Sequence, residues 1–311
     1  MIIHDNLFNP ITWFESKEAW ESNKATYKGK SSPTIVPRNY LPPMQVTIDE
    51  EMNRLLRDMS GNTAIEARIV SHDKKKAFYL KAEELFTSVE LLPEGIQTQS
   101  MHSYVYMGGR YILSYDIPVG TYYMMFIVSN RKEGIFKAWY SDLFTFRNDT
   151  DELIHIRYRN EEPIISGGNY MPFTENDKPR YMEVWINAEI MNNEFMFEDT
   201  STKMSGYNRI EKRISYKVYN TTFLATESMA EALRLLWHCG DIEMTQRGRT
   251  RKIGNVSMEV DWSQDNHFAK ATLKFNTDTI IQTNGGGRIY VSGKHIDGDF
   301  NDKDYNPDYD V

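Results

Sequence analysis

The sequence has 311 residues, of which 40% are hydrophobic and 26% charged, and a formal net charge of −8. This length exceeds that of one ordinary compact domain and favours two, each able to bury a hydrophobic core. No apolar run approaches the roughly 20 residues needed to cross a bilayer, so we expect neither an integral membrane protein nor a membrane partner. The single cysteine, Cys239, excludes an intramolecular disulfide and a multi-cysteine zinc site.

The negative charge is concentrated at the C-terminus. From residue 297 onward there are six Asp and one Lys, which together contribute −5. The remaining chain is nearly neutral and has no sustained basic stripe, so we expect no nucleic-acid partner, because phosphate binding depends on clustered Lys and Arg. The first residues lack the features of a secretory signal, and we predict synthesis in the cytoplasm.

Residues 1–34 are predicted to form an N-terminal arm. Three aromatic residues stand here among polar ones, around a short helical pattern: Trp13, Phe14 and Trp20. Such arms often pack on a neighbouring molecule. We therefore take these three side chains as candidate contact residues.

Residues 35–150 are predicted to form an immunoglobulin-like β-sandwich domain. Met52, Leu55, Leu56 and Met59 have helical spacing, and Gly61 follows as a stop. Runs rich in Tyr, Phe, Ile and Val then alternate with turn residues, as in antiparallel sheets. Gly108-Gly109 predicts a tight hairpin between 104–107 and 111–113, and 139–146 predicts the closing strand.

Residues 151–295 are predicted to form a second β-rich domain with one packed helix. Alternation over 181–190 places Met182, Val184, Ile186, Ala188 and Ile190 on one face and Glu183 and Trp185 on the opposite, polar face. Trp185 is therefore the fourth candidate contact residue. Helix 228–239 follows, with Ser228 and Glu231 spaced as a capping box and Trp237 on its apolar stripe. Val256 to Trp262 and Phe268 to Phe275 are predicted to form a hairpin, with Ala269, Ala271, Leu273 and Phe275 facing inward. Residues 296–311 are predicted to be a flexible acidic tail. The fold class is thus mainly β, with two sandwich-like domains, the second α+β.

No local pattern predicts a catalytic, cofactor or metal site. His238 and Cys239 are neighbours that project about 100° apart on a helix and do not face each other, and the seven histidines lack metal-binding spacing. Glu183 and Glu189 lie roughly 20 Å apart along one strand, too far for paired carboxylates. Asp297 begins a calcium-loop-like run that lacks the required Gly and Glu, and we favour a solvated tail.

Three short strings resemble those of known proteins: Leu41-Pro42-Pro43-Met44-Gln45, Ile117-Pro118-Val119-Gly120-Thr121-Tyr122-Tyr123 and Trp139-Tyr140-Ser141-Asp142-Leu143-Phe144. They resemble tail- or baseplate-associated structural proteins of phages and prophages of Bacteroides-like bacteria. The resemblance covers roughly residues 35 to 150. It implies a non-enzymatic virion component near the tail or baseplate, assembled as a symmetric ring with other virion proteins.

Two hypotheses for the function follow. The first is a structural virion protein that assembles into a homo-oligomeric ring through protein–protein contacts. The second is a carbohydrate-binding, receptor-binding sandwich protein that contacts glycans through an exposed Trp185. An enzyme ranks third, because it would need residues from separate strands to converge.

Overall fold

The computed structural model describes residues 10–27, 34–48, 50–57, 62–80, 86–91, 103–166, 169–171, 173–175, 178–204, 207–262, 268–277, 281–284 and 288–290. Most of the described residues lie in strands, which confirms the mainly β prediction. Gly61, the acidic tail with its calcium-like run, and the 263–267 turn lie outside the described residues.

The strands in chain order are β1 (Trp13–Phe14), β2 (Ile35–Pro37), β3 (Tyr40–Leu41), β4 (Met44–Ile48), β5 (Thr63–Ser71), β6 (Ala77–Leu80), β7 (Phe86–Leu91), β8 (Ser103–Met107), β9 (Arg110–Tyr111), β10 (Gly120–Asn130), β11 (Ile135–Ser141), β12 (Phe144–Arg147), β13 (Ile154–Arg159), β14 (Ile164–Ser166), β15 (Asn169–Met171), β16 (Thr174–Glu175), β17 (Lys178–Pro179), β18 (Met182–Ile186), β19 (Met191–Met204), β20 (Tyr207–Ala225), β21 (Asp241–Gln246), β22 (Arg249–Asp261), β23 (Ala269–Thr277), β24 (Ile281–Asn284) and β25 (Arg288–Tyr290). The helices of the described residues are α1 (Lys17–Tyr27), α2 (Glu50–Arg57) and α3 (Glu227–Arg234), and short 3₁₀ turns cover Thr150–Glu152 and Leu235–His238.

The chain divides into two compact units, of which the first comprises residues 1–192 and 219–278. The main sheet of this unit has the strand order β1-β11-β10-β12-β2-β18-β13-β21-β22-β23. Almost every pairing is antiparallel, but β2 runs parallel to β12. Since β2 also pairs with β18 through Ile35 and Trp185, a segment from near the N-terminus connects strands on both sides of residue 150.

The N-terminal segment packs on its own chain. β1 pairs antiparallel with β11, and the Trp20 indole N–H donates to the Ser141 backbone oxygen at 2.9 Å. Trp13 and Trp20 are both buried, while Phe14 is half-buried. The structure thus corrects the prediction that Trp13 and Trp20 are available to a partner, because the neighbouring strand covers them. A contact role for Phe14 stays a prediction.

The Gly108-Gly109 pair does not close a hairpin between β8 and β9. Both glycines have positive φ angles, as predicted, but β8 pairs with β4 and β7. β9 pairs instead with β3, where Tyr111 lies opposite Tyr40. The glycine turn therefore carries the chain from one small sheet into another, and this placement brings Tyr111 beside Tyr40.

The other local patterns are largely confirmed. α2 includes Met52, Leu55 and Leu56 of the helix predicted before Gly61, with Met52 and Leu55 buried, and Met59 lies outside the described residues. β22 and β23 form the predicted antiparallel pair. The predicted strand 139–146 is wrong as a single element, because β11 and β12 are separated at Asp142 and Leu143 and pair with different parts of β10.

The predicted helix 228–239 is confirmed as α3 and the following 3₁₀ turn. Its N-cap is Thr226, whose hydroxyl accepts from the Met229 N–H at 3.2 Å, and not Ser228 as the spacing suggested. Trp237 is exposed and not part of the apolar stripe. The tighter 3₁₀ turn has three residues per turn, so it rotates Trp237 away from the face that an α-helix would present.

The second unit comprises residues 193–218 and 279–311. Its described part is built on β20, which pairs antiparallel with β24 and β25 and has β19 as a neighbour. Tyr216 donates its hydroxyl to Glu198 Oε1 at 2.5 Å, and Lys217 Nζ lies 5.1 Å from the Phe195 ring centroid. We call residues 193–218 the ribbon.

Candidate functional site

Strand β13 separates the core of the first unit from a polar cleft. Its even-numbered residues Ile154, Ile156 and Tyr158 are completely buried in the hydrophobic core. Because side chains alternate along a strand, His155 and Arg157 point to the opposite face. They line a cleft of about 370 Å³.

The partners of these two residues come from strand β18. Antiparallel register places Trp185 opposite His155 and Glu183 opposite Arg157. His155 Nε2 lies 3.5 Å from Glu183 Oε2, and Arg157 Nε lies 3.3 Å from Oε1. Tyr40 donates its hydroxyl to Glu183 Oε2 at 2.6 Å. The carboxylate of Glu183 is therefore surrounded by three groups that favour its charged form.

The pKa of Glu183 reflects this surrounding. Burial alone raises the pKa of a carboxyl group, but here the contacts with His155 and Tyr40 and the charge of Arg157 outweigh burial, and the pKa is lowered. The pKa of the Tyr40 hydroxyl is raised by burial and by the adjacent Glu183 charge. The pair is thus an ionised carboxylate that accepts from a neutral phenol.

Glu183→Gln is expected to lower the free energy of unfolding by about 1 to 3 kcal/mol at neutral pH, because it removes a charge-assisted network. The folded carboxyl of the wild type binds its proton at lower pH than the unfolded one. The contribution of this carboxylate to the free energy of unfolding is therefore complete above pH 4.5, the ordinary pKa of a glutamate side chain. It is lost as the pH falls through the lower pKa of Glu183 in the folded protein. The difference between the two proteins should shrink from about pH 7 to about pH 3 in urea unfolding.

The control for this experiment is Glu161→Gln, which removes one carboxylate from an exposed position. If the free energies of unfolding of the wild type and Glu183→Gln differ by the same amount at both pH values, Glu183 is not ionised in the folded protein as inferred.

Trp185 forms the floor of the cleft and does not stand on an exposed face. Its ring stacks on the His155 imidazole with centroids 4.4 Å apart and an interplanar angle of 3°, and it meets the Tyr40 ring edge-on at 5.2 Å. Only 6% of Trp185 is exposed. The prediction of an exposed Trp185 is therefore wrong, because the Tyr40 ring from β3 and the His155 ring from the neighbouring strand β13 pack against it.

The predicted alternation of β18 also ends early. Met182, Val184 and Ile186 are buried as expected, but the strand ends at Ile186. Glu189 is exposed, with an oxygen 3.0 Å from Arg247. Glu183 and Glu189 thus lie in different surroundings and do not act as a pair.

The rim of the cleft carries further polar groups and one exposed ring. Asp151, from the 3₁₀ turn before β13, and Arg247, from the turn after β21, both line it. Tyr111 is 58% exposed and contacts the Tyr40 ring edge-on at 4.9 Å. Local sequence patterns give no sign of this convergence, because the residues come from strands far apart in the chain.

The ribbon presents a second candidate site, an apolar strip. Phe195 is 60% exposed and Phe197 is 78% exposed, and their spacing places both on one face of β19. Met196 is exposed on the other face. Large apolar side chains that stand together in water usually mark a contact surface.

The remaining candidates have ordinary surroundings. Cys239 is half-buried, and burial raises the pKa of its thiol to about 12, so the reactive thiolate is disfavoured. Among the described residues, no three His, Cys, Asp or Glu side chains are arranged to hold a metal ion. No described helix has the length and apolar character needed to cross a membrane.

The sequence matches no protein-family model, no curated protein and no solved structure.

Proposed function

We propose that this protein is a non-enzymatic structural component of a phage virion that assembles through protein–protein contacts as a homo-oligomeric ring. The observation that carries the proposal is the apolar strip of Phe195 and Phe197 on the ribbon. A strand that exposes two aromatic rings on one face can bury them only against another surface. A tail or baseplate position follows from the resemblance of residues 35 to 150.

The chemistry of the cleft supports a role without catalysis. A general base works best when its pKa lies near the operating pH, whereas the contacts of Glu183 lower its pKa. Its two oxygens already face Tyr40, His155 and Arg157. Such a carboxylate organises a binding surface better than it removes a proton.

The finer fold assignment, two sandwich-like domains divided near residue 150, remains part of this proposal. Two hydrophobic clusters support it. One is formed mostly from residues 11 to 153, and the other from residues 154 to 275. Trp185 is the exception, since it lies in the second segment but packs in the first cluster.

The double variant Phe195→Ser/Phe197→Ser is expected to convert oligomers of the wild type to monomers, because it removes the apolar surface that association would bury. Size-exclusion chromatography with light scattering measures the change. Phe136→Ser is the matched control, since Phe136 is similarly exposed but lies on β11; it should leave the oligomer intact.

A wild-type protein that is monomeric at every concentration, or a double variant that still assembles, would overturn assembly through the ribbon. The virion assignment is tested separately by mass spectrometry of purified particles of the phage that encodes the protein. Absence of the protein from those particles would refute it.

A further inference from the structure

One wall of the cleft is a series of three aromatic rings that leads from the rim to the floor. Tyr111 at the rim contacts Tyr40, and Tyr40 contacts the buried Trp185. Aromatic faces carry partial negative charge and attract the weakly positive C–H groups of a ligand. The exposed ring of Tyr111 is therefore available for the apolar face of a bound molecule.

The lining of the cleft also contains hydrogen-bond donors and acceptors. Nε2 of His155 and Nε of Arg157 are buried and make no well-aligned hydrogen bond with any described residue, although both approach Glu183. Because these two atoms already face Glu183, the donors open to a ligand are the more exposed guanidinium groups of Arg157 and Arg247. The exposed carboxylate of Asp151 at the rim is available as an acceptor.

The charges that line the cleft are balanced. Two carboxylates, Asp151 and Glu183, stand among two guanidinium groups, Arg157 and Arg247. An anionic ligand would meet the carboxylates and a cationic ligand the guanidinium groups, and like charges brought together cost binding energy. A ligand without net charge avoids both. Hydroxyl groups suit the lining because each one both donates and accepts.

We propose that this cleft binds a neutral carbohydrate, whose ring stacks on Tyr111 while its hydroxyl groups bond to the accessible polar groups of Arg157, Arg247 and Asp151. The volume of about 370 Å³ falls within the ~300 to 1,000 Å³ of small-molecule sites. The inference deepens the carbohydrate-binding alternative and gives it a site other than an exposed Trp185. It does not depend on assembly through the ribbon.

The test uses an array of neutral, sialylated and sulfated glycans, followed by calorimetric titration with the best neutral oligosaccharide. The wild type is expected to bind neutral glycans. Tyr111→Ala should weaken binding at least about tenfold, as expected for loss of an aromatic contact. Asp151→Ala, also at the rim, should weaken it by a smaller factor.

Two controls keep the test specific. Tyr79→Ala removes an exposed tyrosine from β6, outside the cleft lining, and should bind like the wild type. Phe195→Ser/Phe197→Ser should also retain glycan binding, so failure of assembly and failure of carbohydrate binding are distinguishable. The proposal is overturned by a wild type that binds no neutral glycan, by selective binding of charged glycans, or by unchanged affinity in Tyr111→Ala.

Discussion

Gly108→Ala is expected to lower the free energy of unfolding by about 3 kcal/mol or more, measured by urea denaturation. Two costs add at this position. The φ angle of +83° lies in the left-handed region that side chains disfavour, and a Cβ atom would lie 2.1 Å from the backbone oxygen of Pro42. The Gly109 N–H donates to the Leu41 oxygen at 2.7 Å, which holds these two backbone segments together.

Gly134→Ala separates the two costs. Gly134 has a φ angle of +69°, yet nothing lies within 4 Å of a Cβ built there. Its substitution should therefore cost only the backbone strain, about 1 kcal/mol. The additional loss of stability in Gly108→Ala then measures the cost of the contact between the new Cβ atom and Pro42. Equal losses in the two variants would contradict that contact.

Elements defined by neighbours in the sequence could be predicted from the sequence. The alternation in β23 places Ala269, Ala271 and Leu273 inward, and all three are buried. Helical spacing likewise identified α2 and α3. In these cases the spacing of apolar residues along the sequence shows which face is apolar. One apolar face is enough to identify the segment as a helix or a strand.

Pairings between distant segments could not be predicted. Gly108 and Gly109 have the φ angles of a hairpin turn, but β9 pairs with β3, about 70 residues away in sequence. β2 joins β12 and β18, although no feature of its three residues identifies either partner. Local patterns describe the faces of a strand and not the strand that will lie beside it.

The cleft was missed for the same reason. The alternation over 181–190 marked Glu183 and Trp185 as lying on one face, but no sequence pattern connected them with His155 or Arg157. The register that sets His155 opposite Trp185, and Arg157 opposite Glu183, exists only in the folded sheet. Tyr40 then covers both pairs from a strand more than 100 residues earlier.

Trp185→Ala is expected to lower the free energy of unfolding by about 3 to 5 kcal/mol, the usual cost of removing a large buried aromatic side chain. The substitution removes the stack on His155 and the edge contact with Tyr40. It also empties a position in the first hydrophobic cluster. Urea unfolding measures the loss, and near-ultraviolet circular dichroism should show altered aromatic packing in the folded protein.

Trp237→Ala is the matched control, because Trp237 is 70% exposed and its loss should change stability by no more than about 0.5 kcal/mol. Equal effects of the two substitutions would contradict the burial of Trp185. The burial of Trp185 also makes Tyr111 the better residue with which to test carbohydrate binding. Loss of binding in Trp185→Ala would follow from collapse of the cleft floor whether or not the ring touches a ligand, whereas Tyr111 stands at the rim and can be removed while the floor stays in place.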